Sequence, residues 1–341
     1  MANAAAALAR RLAGIAGVVM QLPPSLTEAL TRLTAGCDQR LLGQAAAQLS
    51  AKYRQPALVP ARFINSEAER LAYAATRMPA TYAAAHKVFS ESQRLLPDAA
   101  PQSLLDLGAG TGAATWAAAA IFDTLRQAAL LERDHELIRL GRQLTEVAEQ
   151  DAVRRADWRG VDLEQVVELP NSDVVVCSYS LGELAPAVAQ RLVQIAWQAA
   201  RQSLVIIEPG TMRGFATIRL LRGELLAAGA HILAPCPHAH ACPLPEDDWC
   251  HFAARLERSA LQRRLKAGTL GYEDEKFSYL ALAKQPVGSA AARILRHPQR
   301  QPGYTRLQLC TVEGLKETVI TKRDKETWKR VRKADWGDAW E

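Results

Sequence analysis

No window of this 341-residue chain approaches the 18 or more uninterrupted apolar residues that a membrane-spanning helix requires, so no membrane partner is expected. The first residues carry Arg10 and Arg11 and no acid before Glu28, yet they lack the ordered basic, apolar and cleavage regions of a secretory signal. An organelle import presequence shares those features and stays open beside the plainer reading, an Ala-rich amphipathic helix. A hydrophobic share of 49% and a charged share of 23% exclude a disordered tail, a collagen-like repeat and a small disulfide scaffold. The length allows about two domains at roughly 150 residues each.

What is present is uneven in charge and in cysteine. The formal net charge is +6, and residues 251–341, with 19 Lys/Arg against 11 Asp/Glu, hold the whole surplus. A basic region favours polyanions such as nucleic acid, although charge density alone reads equally well as a solvated surface. Six cysteines occur, at 37, 177, 236, 242, 250 and 310. Without a secretory signal they are expected to be reduced, as candidates for metal rather than for disulfides.

The chain reads in parts. Residues 1–100 form an N-terminal helical region, with apolar residues at helical spacing near Leu26–Leu30, Leu41–Ala45 and Glu67–Leu96, punctuated by Pro23, Pro24 and Pro97. His86 stands alone there as a surface or packing residue. From Gln102, short apolar strands (Ser103–Leu107, Ala128–Glu132, Asp173–Cys177 and Ser203–Glu208) alternate with helices (Gly112–Leu125, His135–Ala148 and Pro186–Ala200). That alternation predicts right-handed crossovers and a doubly wound, mainly parallel α/β sheet over residues 101–341. A helix over Arg213–Ala228 precedes a Pro-, His- and Cys-rich insertion within 230–275. Phe277–Ala283 is expected to run parallel and Thr305–Val312 antiparallel at the far edge of the same sheet. A basic C-terminal tail follows.

The strongest motif is Leu104-Leu105-Asp106-Leu107-Gly108-Ala109-Gly110-Thr111-Gly112, a strand running into glycines and then a helix. Glycine permits positive φ and lets a ligand approach bare backbone, and the helix start beyond offers unpaired N–H groups. The spacing is G-x-G-x-G rather than the dinucleotide pattern G-x-G-x-x-G, which leaves an NAD enzyme as the runner-up. Asp106 would repel a pyrophosphate but suits a cationic sulfonium and amino group. Glu132, at the end of the second strand, is placed to accept hydrogen bonds from ribose hydroxyls. Together these residues look like the S-adenosylmethionine (SAM) site of the Rossmann-like methyltransferases. Asp157, near the third strand, is a candidate adenine contact and equally a surface acid. Ser178-Tyr179-Ser180-Leu181-Gly182-Glu183-Leu184 lacks the Asn/Asp-Pro-Pro-Tyr/Phe pattern of amino methylation, Cys177 reads as core, and no catalytic base stands out.

Cys236, Cys242 and Cys250, with Cys310 sixty residues on, form a candidate metal set expected to converge. The close C-x₂₋₄-C knuckles of structural zinc are absent. Wider gaps are compatible with a four-iron cluster, while His238, His240 and His251 keep a Cys/His zinc site open. The C-x₃-C-x₂-C loop of radical-SAM enzymes is missing, so the metal would be structural and distant from the glycine turn.

The chain resembles the mitochondrial small-subunit ribosomal methyltransferase-like proteins and their bacterial relatives. The likeness rests on Tyr73-Ala-Ala-Thr-Arg-Met-Pro-Ala-Thr-Tyr-Ala83, Leu105–Gly112, Ser178–Leu184, Ile207-Glu-Pro-Gly-Thr211, the Cys236-Pro-His…Cys242-Pro…Trp249-Cys250-His-Phe252 loop, Cys310 and Trp336-Gly-Asp338. It implies a SAM-binding fold with Asp106, Gly108, Gly110, Gly112, Glu132 and Asp157 at the cofactor. It also implies a four-iron, four-sulfur (4Fe-4S) cluster on the four cysteines, and association with the small ribosomal subunit and its rRNA during assembly. Two functions follow as expectations: a SAM-dependent rRNA methyltransferase, or an assembly factor that keeps the fold without transferring a methyl group. A small-molecule or protein methyltransferase is the weaker third. The expected form is a monomer in a bacterial cytoplasm, with the mitochondrial matrix as the alternative. In the tail, Trp328, Trp336 and Trp340 could stack on bases, but aromatics near a chain end more often pack.

Overall fold

The computed structural model describes residues 19–54, 64, 66–266 and 268–341. Helices α1 (Pro24–Thr34), α2 (Gln39–Arg54), α3 (Glu67–Thr76) and α4 (Met78–Leu95) come first. Proline in the first turn of α1 and of α4 supplies a helical φ where no N–H is required. Ser66 caps α3 by accepting from the Glu69 N–H at 3.1 Å. The alanines of α4 are buried almost all round, because small side chains let it press against both a helix and a sheet. These helices therefore cover one face of the α/β body, while the Ala-rich start with Arg10 and Arg11 lies outside the described residues.

That body runs through β1 (Ser103–Leu107), α5 (Ala113–Ile121), β2 (Gln127–Glu132), α6 (His135–Thr145), α7 (Asp151–Arg154), β3 (Asp157–Gly160), β4 (Ser172–Ser178), α8 (Pro186–Ala199) and β5 (Ala200–Pro209). It continues with α9 (Met212–Ala227), β6 (His231–Ala234), β7 (Phe252–Glu257), α10 (Ala260–Leu265) and β8 (Tyr272–Ala283). The sheet order is β3-β2-β1-β4-β5-β8-β6, with β7 paired to β8. The first five strands are mutually parallel, as the alternating pattern predicts. Apolar residues fill both faces: α4 and α5 pack on one side, α8 and α9 on the other.

Two expectations about the later strands are corrected. Phe277–Ala283 lies in β8, which is antiparallel to both β5 and β6 and sits between them. The reason is connection geometry: α9 is a full crossover and makes β6 parallel to β5. β7 is antiparallel to β8 as β6 is, so the chain reverses only after β7, through α10, and without a second crossover β8 runs down the sheet. Thr305–Val312 does not join this sheet at all. Its strand belongs to a second sheet formed by β9 (Ala292–Ile294), β10 (Gln299–Gln301), β11 (Tyr304–Thr311), β12 (Gly314–Thr321) and β13 (Ala339–Trp340), with α11 (Lys325–Val331) before the last strand. All its pairings are antiparallel, and Ile294, Leu307, Leu309, Ile320 and Val331 form its own core. No helix among the described residues is long and apolar enough to cross a membrane.

Candidate cofactor and cysteine sites

The carboxyl ends of β1, β2 and β4 open into a cavity of ≈ 400 Å³, where a crevice is expected in an open α/β sheet. Gly108 and Gly110 line it with φ of +73° and +57°. A Cβ on Gly108 would meet Ser180 Cβ at 2.5 Å, and one on Gly110 would meet the Tyr73 hydroxyl at 3.0 Å. The turn thus requires glycine both for its backbone and for space. Glu132 ends β2 with both oxygens engaged: Oε2 accepts from the Gly110 N–H and Oε1 from the Asp134 N–H, each at 2.9 Å. Asp134 caps α6 and pairs with Arg70 of α3 at 3.3 Å.

Asp106 and Gly112 sit beneath the loop rather than on the cavity wall. Asp106 is 1% exposed; its Oδ2 accepts from the Thr115 hydroxyl at 2.9 Å, while Oδ1 has no partner. Burial pushes this carboxyl from near 3.8 up to about 7. Gly112 opens α5 and faces Trp158 and Leu130. Asp157 is corrected. Its pairing opposite Ala129 places it at the amino end of β3, exposed and bound to Arg159, away from the cavity. The nearby acid that does line the cavity is Asp162, beyond the carboxyl end of β3, where it caps the short turn at Leu163. The sequence pattern puts Asp157 near the third strand without bounding that strand, which starts at Asp157 and ends at Gly160.

Tyr73 and Tyr179 complete the wall. Tyr179 follows β4 with φ +59°, a left-handed conformation that a bulky residue keeps only when its surroundings hold it. They do: its N–H donates to Ile207 O at 2.7 Å, its hydroxyl donates to Glu275 at 3.0 Å, and Arg77 pairs with Glu275 at 3.1 Å. Glu208 on β5 pins the neighbouring turn by accepting from the Leu181 and Gly182 N–H groups at 3.1 and 3.3 Å. Burial raises its carboxyl to about 8. The Tyr73–Ala83, Ser178–Leu184 and Ile207–Thr211 segments therefore meet at one place. Ser178 Oγ and Ser180 Oγ, buried with no partner among the described residues, line the cavity and point to a ligand here, while Asp106 Oδ1 and Thr111 Oγ1 are likewise unpartnered but do not line it.

The four candidate metal-binding cysteines also share a cavity. Cys236 and Cys242 lie on the loop after β6, Cys250 just before β7 and Cys310 on β11, and all four are free thiols. Arg222 and Arg293 line the same space. Burial, reinforced by the neighbouring cysteines, pushes Cys310 up to about 12 and Cys250 well above the usual thiol range. His238 Nε2 is 3.6 Å from Cys310 Sγ, whereas His251 packs between Trp249 and Trp336. Among the described residues, no three or more His, Cys, Asp or Glu side chains are arranged to hold a single metal ion. Cys177 is core, fully buried in β4.

The tail tryptophans pack. Trp336 is buried against His251 and His297, while Trp328 and Trp340 close the core of the small sheet.

The chain is similar to the human mitochondrial ribosome assembly protein METTL17, 29% identical over 80% of this chain and 62% of that protein. It is 22% identical to the mitochondrial Rsm22-cox11 tandem protein 2 of Schizosaccharomyces pombe, over 79% of this chain and 42% of the relative. It thus spans less than two thirds of either relative. Among solved structures, it is similar to the magnesium protoporphyrin IX methyltransferase of Synechocystis PCC 6803 with bound SAM (TM-score 0.39, 13% identity, 74% of this chain and 99% of that one). It is also similar to the plantazolicin methyltransferase BpumL with S-adenosylhomocysteine (TM-score 0.40, 10% identity, 76% and 99%). The family described as mitochondrial small ribosomal subunit Rsm22 matches residues 67–341. The chain belongs to that family.

Proposed function

We propose that this is a SAM-binding, methyltransferase-like protein that acts in assembly of the small ribosomal subunit by binding its rRNA. The observation that carries the reading is the cavity at the glycine turn, built inside a chain of the Rsm22 family. Bare backbone at Gly108 and Gly110 would face the cofactor, Glu132 would receive the ribose hydroxyls, and Asp162 with Leu163 would border the adenine. Asp106 would place negative charge under the cationic end. Bound SAM supplies an electrophilic methyl group. Tyr73 is buried and its phenol is pushed up, so it donates rather than abstracts a proton.

A second reading, an assembly factor that binds SAM without turnover, is favoured by Tyr179. Its hydroxyl is already engaged by Glu275 where an acceptor would approach. Radiolabelled methyl transfer to small-subunit rRNA, run beside calorimetric SAM binding, separates the two. Transfer supports the enzyme; binding of both SAM and rRNA without transfer supports the silent factor. SAM binding without salt-sensitive RNA affinity points to the small-molecule or protein methyltransferase.

The four free thiols around one cavity support a 4Fe-4S cluster over the zinc alternative. A cluster takes one thiolate per iron, which matches four cysteines around one cavity. Iron and sulfide analysis on protein purified without oxygen tests it. The relatives are mitochondrial proteins, which fits the matrix alternative better than a bacterial cytoplasm. A monomer is proposed, to be checked by light scattering.

A further inference from the structure

The cysteine cavity contains two buried arginines whose charges are met differently. Arg293, 2% exposed, donates to Pro235 O at 2.9 Å, to Gly337 O at 2.9 Å and to the Glu91 carboxylate at 2.7 Å. Its charge is matched by Glu91. Arg222, on α9 and 6% exposed, has only neutral partners among the described residues: Nη2 donates to His238 O at 2.8 Å and to His240 O at 2.7 Å. Its Nε is buried with no partner, and its guanidinium stands beside the Cys236 thiol at the cavity wall. Arginine does not give up its proton in proteins, and a buried cation without a counter-charge costs several kcal/mol in effective terms, on the order of those measured for broken buried pairs.

We infer that Arg222 is the counter-ion of the anionic four-thiolate centre proposed above for the cysteine cavity. This rests on the cluster reading above and extends it to a residue outside the ligand set. A four-iron, four-sulfur core with four thiolates is net negative, whereas a zinc ion held by two thiolates and two neutral imidazoles is not. Arg222 also ties the centre to the loop that supplies its ligands, because its two backbone acceptors, His238 and His240, lie between Cys236 and Cys242. Outer partners of this kind set the potential and retention of a metal centre.

The test compares Arg222→Met, Arg222→Lys and Arg219→Met in the full chain purified without oxygen. Arg219 borders the same cavity from the same helix but is exposed, so it controls for charge in general. The readouts are metal and sulfide content, the rate of iron loss to a chelator, and the reduction potential of the retained cluster. Arg222→Met is expected to lose iron several-fold faster and to reduce at a more negative potential, since a nearby positive charge has been removed. Arg222→Lys should recover the potential in part, and Arg219→Met should match the parent. If Arg222→Met folds poorly, the potential of its loaded fraction still carries the answer.

Parent-like potential and retention in Arg222→Met would overturn the counter-ion role and leave the cluster standing. A single zinc on four thiolates that Arg222→Met releases faster would overturn the cluster and keep the counter-ion. Zinc on two cysteines and two histidines, or no metal in the parent protein, would overturn both.

Discussion

The glycine-turn cavity and the cysteine cavity lie toward the same end of one sheet, four strand positions apart, or about 19 Å at ~4.8 Å per step. They are built by opposite means. The first is lined mainly by successive loops after β1, β2, β3 and β4, whose positions the parallel sheet already sets. The second gathers side chains from α9, the loop after β6, the start of β7 and both β9 and β11, across two sheets. A cavity made of local loops needs little beyond its strands. One assembled from distant segments needs something to hold them together, and buried thiols with buried arginines are poor at that unless a cofactor binds them.

Four substitutions or conditions sharpen the contrast, from the largest effect to the smallest. Cys242→Ser should abolish cofactor loading at the cysteine cavity and cost about 4 kcal/mol or more of stability, while S-adenosylhomocysteine affinity of the folded fraction holds. Thermal melting with metal analysis checks it; unchanged melting and metal content would mean unliganded thiols. Gly108→Ala should cost about 2–3 kcal/mol, from left-handed backbone and from the close approach of Ser180, and should lose cofactor affinity while keeping its iron. Loss of iron in that variant would show that the two cavities are coupled.

Glu132→Gln is expected to weaken SAM binding roughly tenfold, about 1.4 kcal/mol, by calorimetry. Its melting point should also fall, because the new amide NH2 faces one of the two backbone N–H groups that the Glu132 carboxylate accepts from. Per group and per pH unit the smallest effect is in pH, though it accumulates over several units. Asp106 and Glu208 carry more protons folded than unfolded, because burial lifts them to about 7 and about 8. Ligand-free stability therefore falls as pH rises from near 4 through 8, by at most about 1.4 kcal/mol per pH unit for each group. Asp106→Asn should flatten the lower part of that slope in urea titrations across pH. A slope unchanged in that variant would place the titration elsewhere.

Much of the first cavity was legible from residue order. Strand–glycine–helix at Leu104–Gly112 and the acid ending β2 are short-range patterns, and the backbone they imply leaves few alternatives. Asp157 failed because a strand boundary is decided by pairing. Four residues of register separate it from the loop where Asp162 sits. Tyr73 was visible only as part of a longer resemblance. Its position against Gly110 depends on how the helical region lies across the sheet. Nor does spacing distinguish a tryptophan that stacks on RNA from one that packs on His251 and His297, as Trp336 does.

By itself the sequence determined the α/β body, the glycine turn and the separate cysteine set, because periodicity and turn chemistry act over a few residues. Tertiary structure alone decided that β8 descends between β5 and β6, and that β11 leaves for a second sheet. It also decided that Arg222 is buried without a counter-ion among the described residues while Arg293 has Glu91. Each of those depends on which distant segment arrives beside which, and a charge becomes costly only once the chain has closed around it.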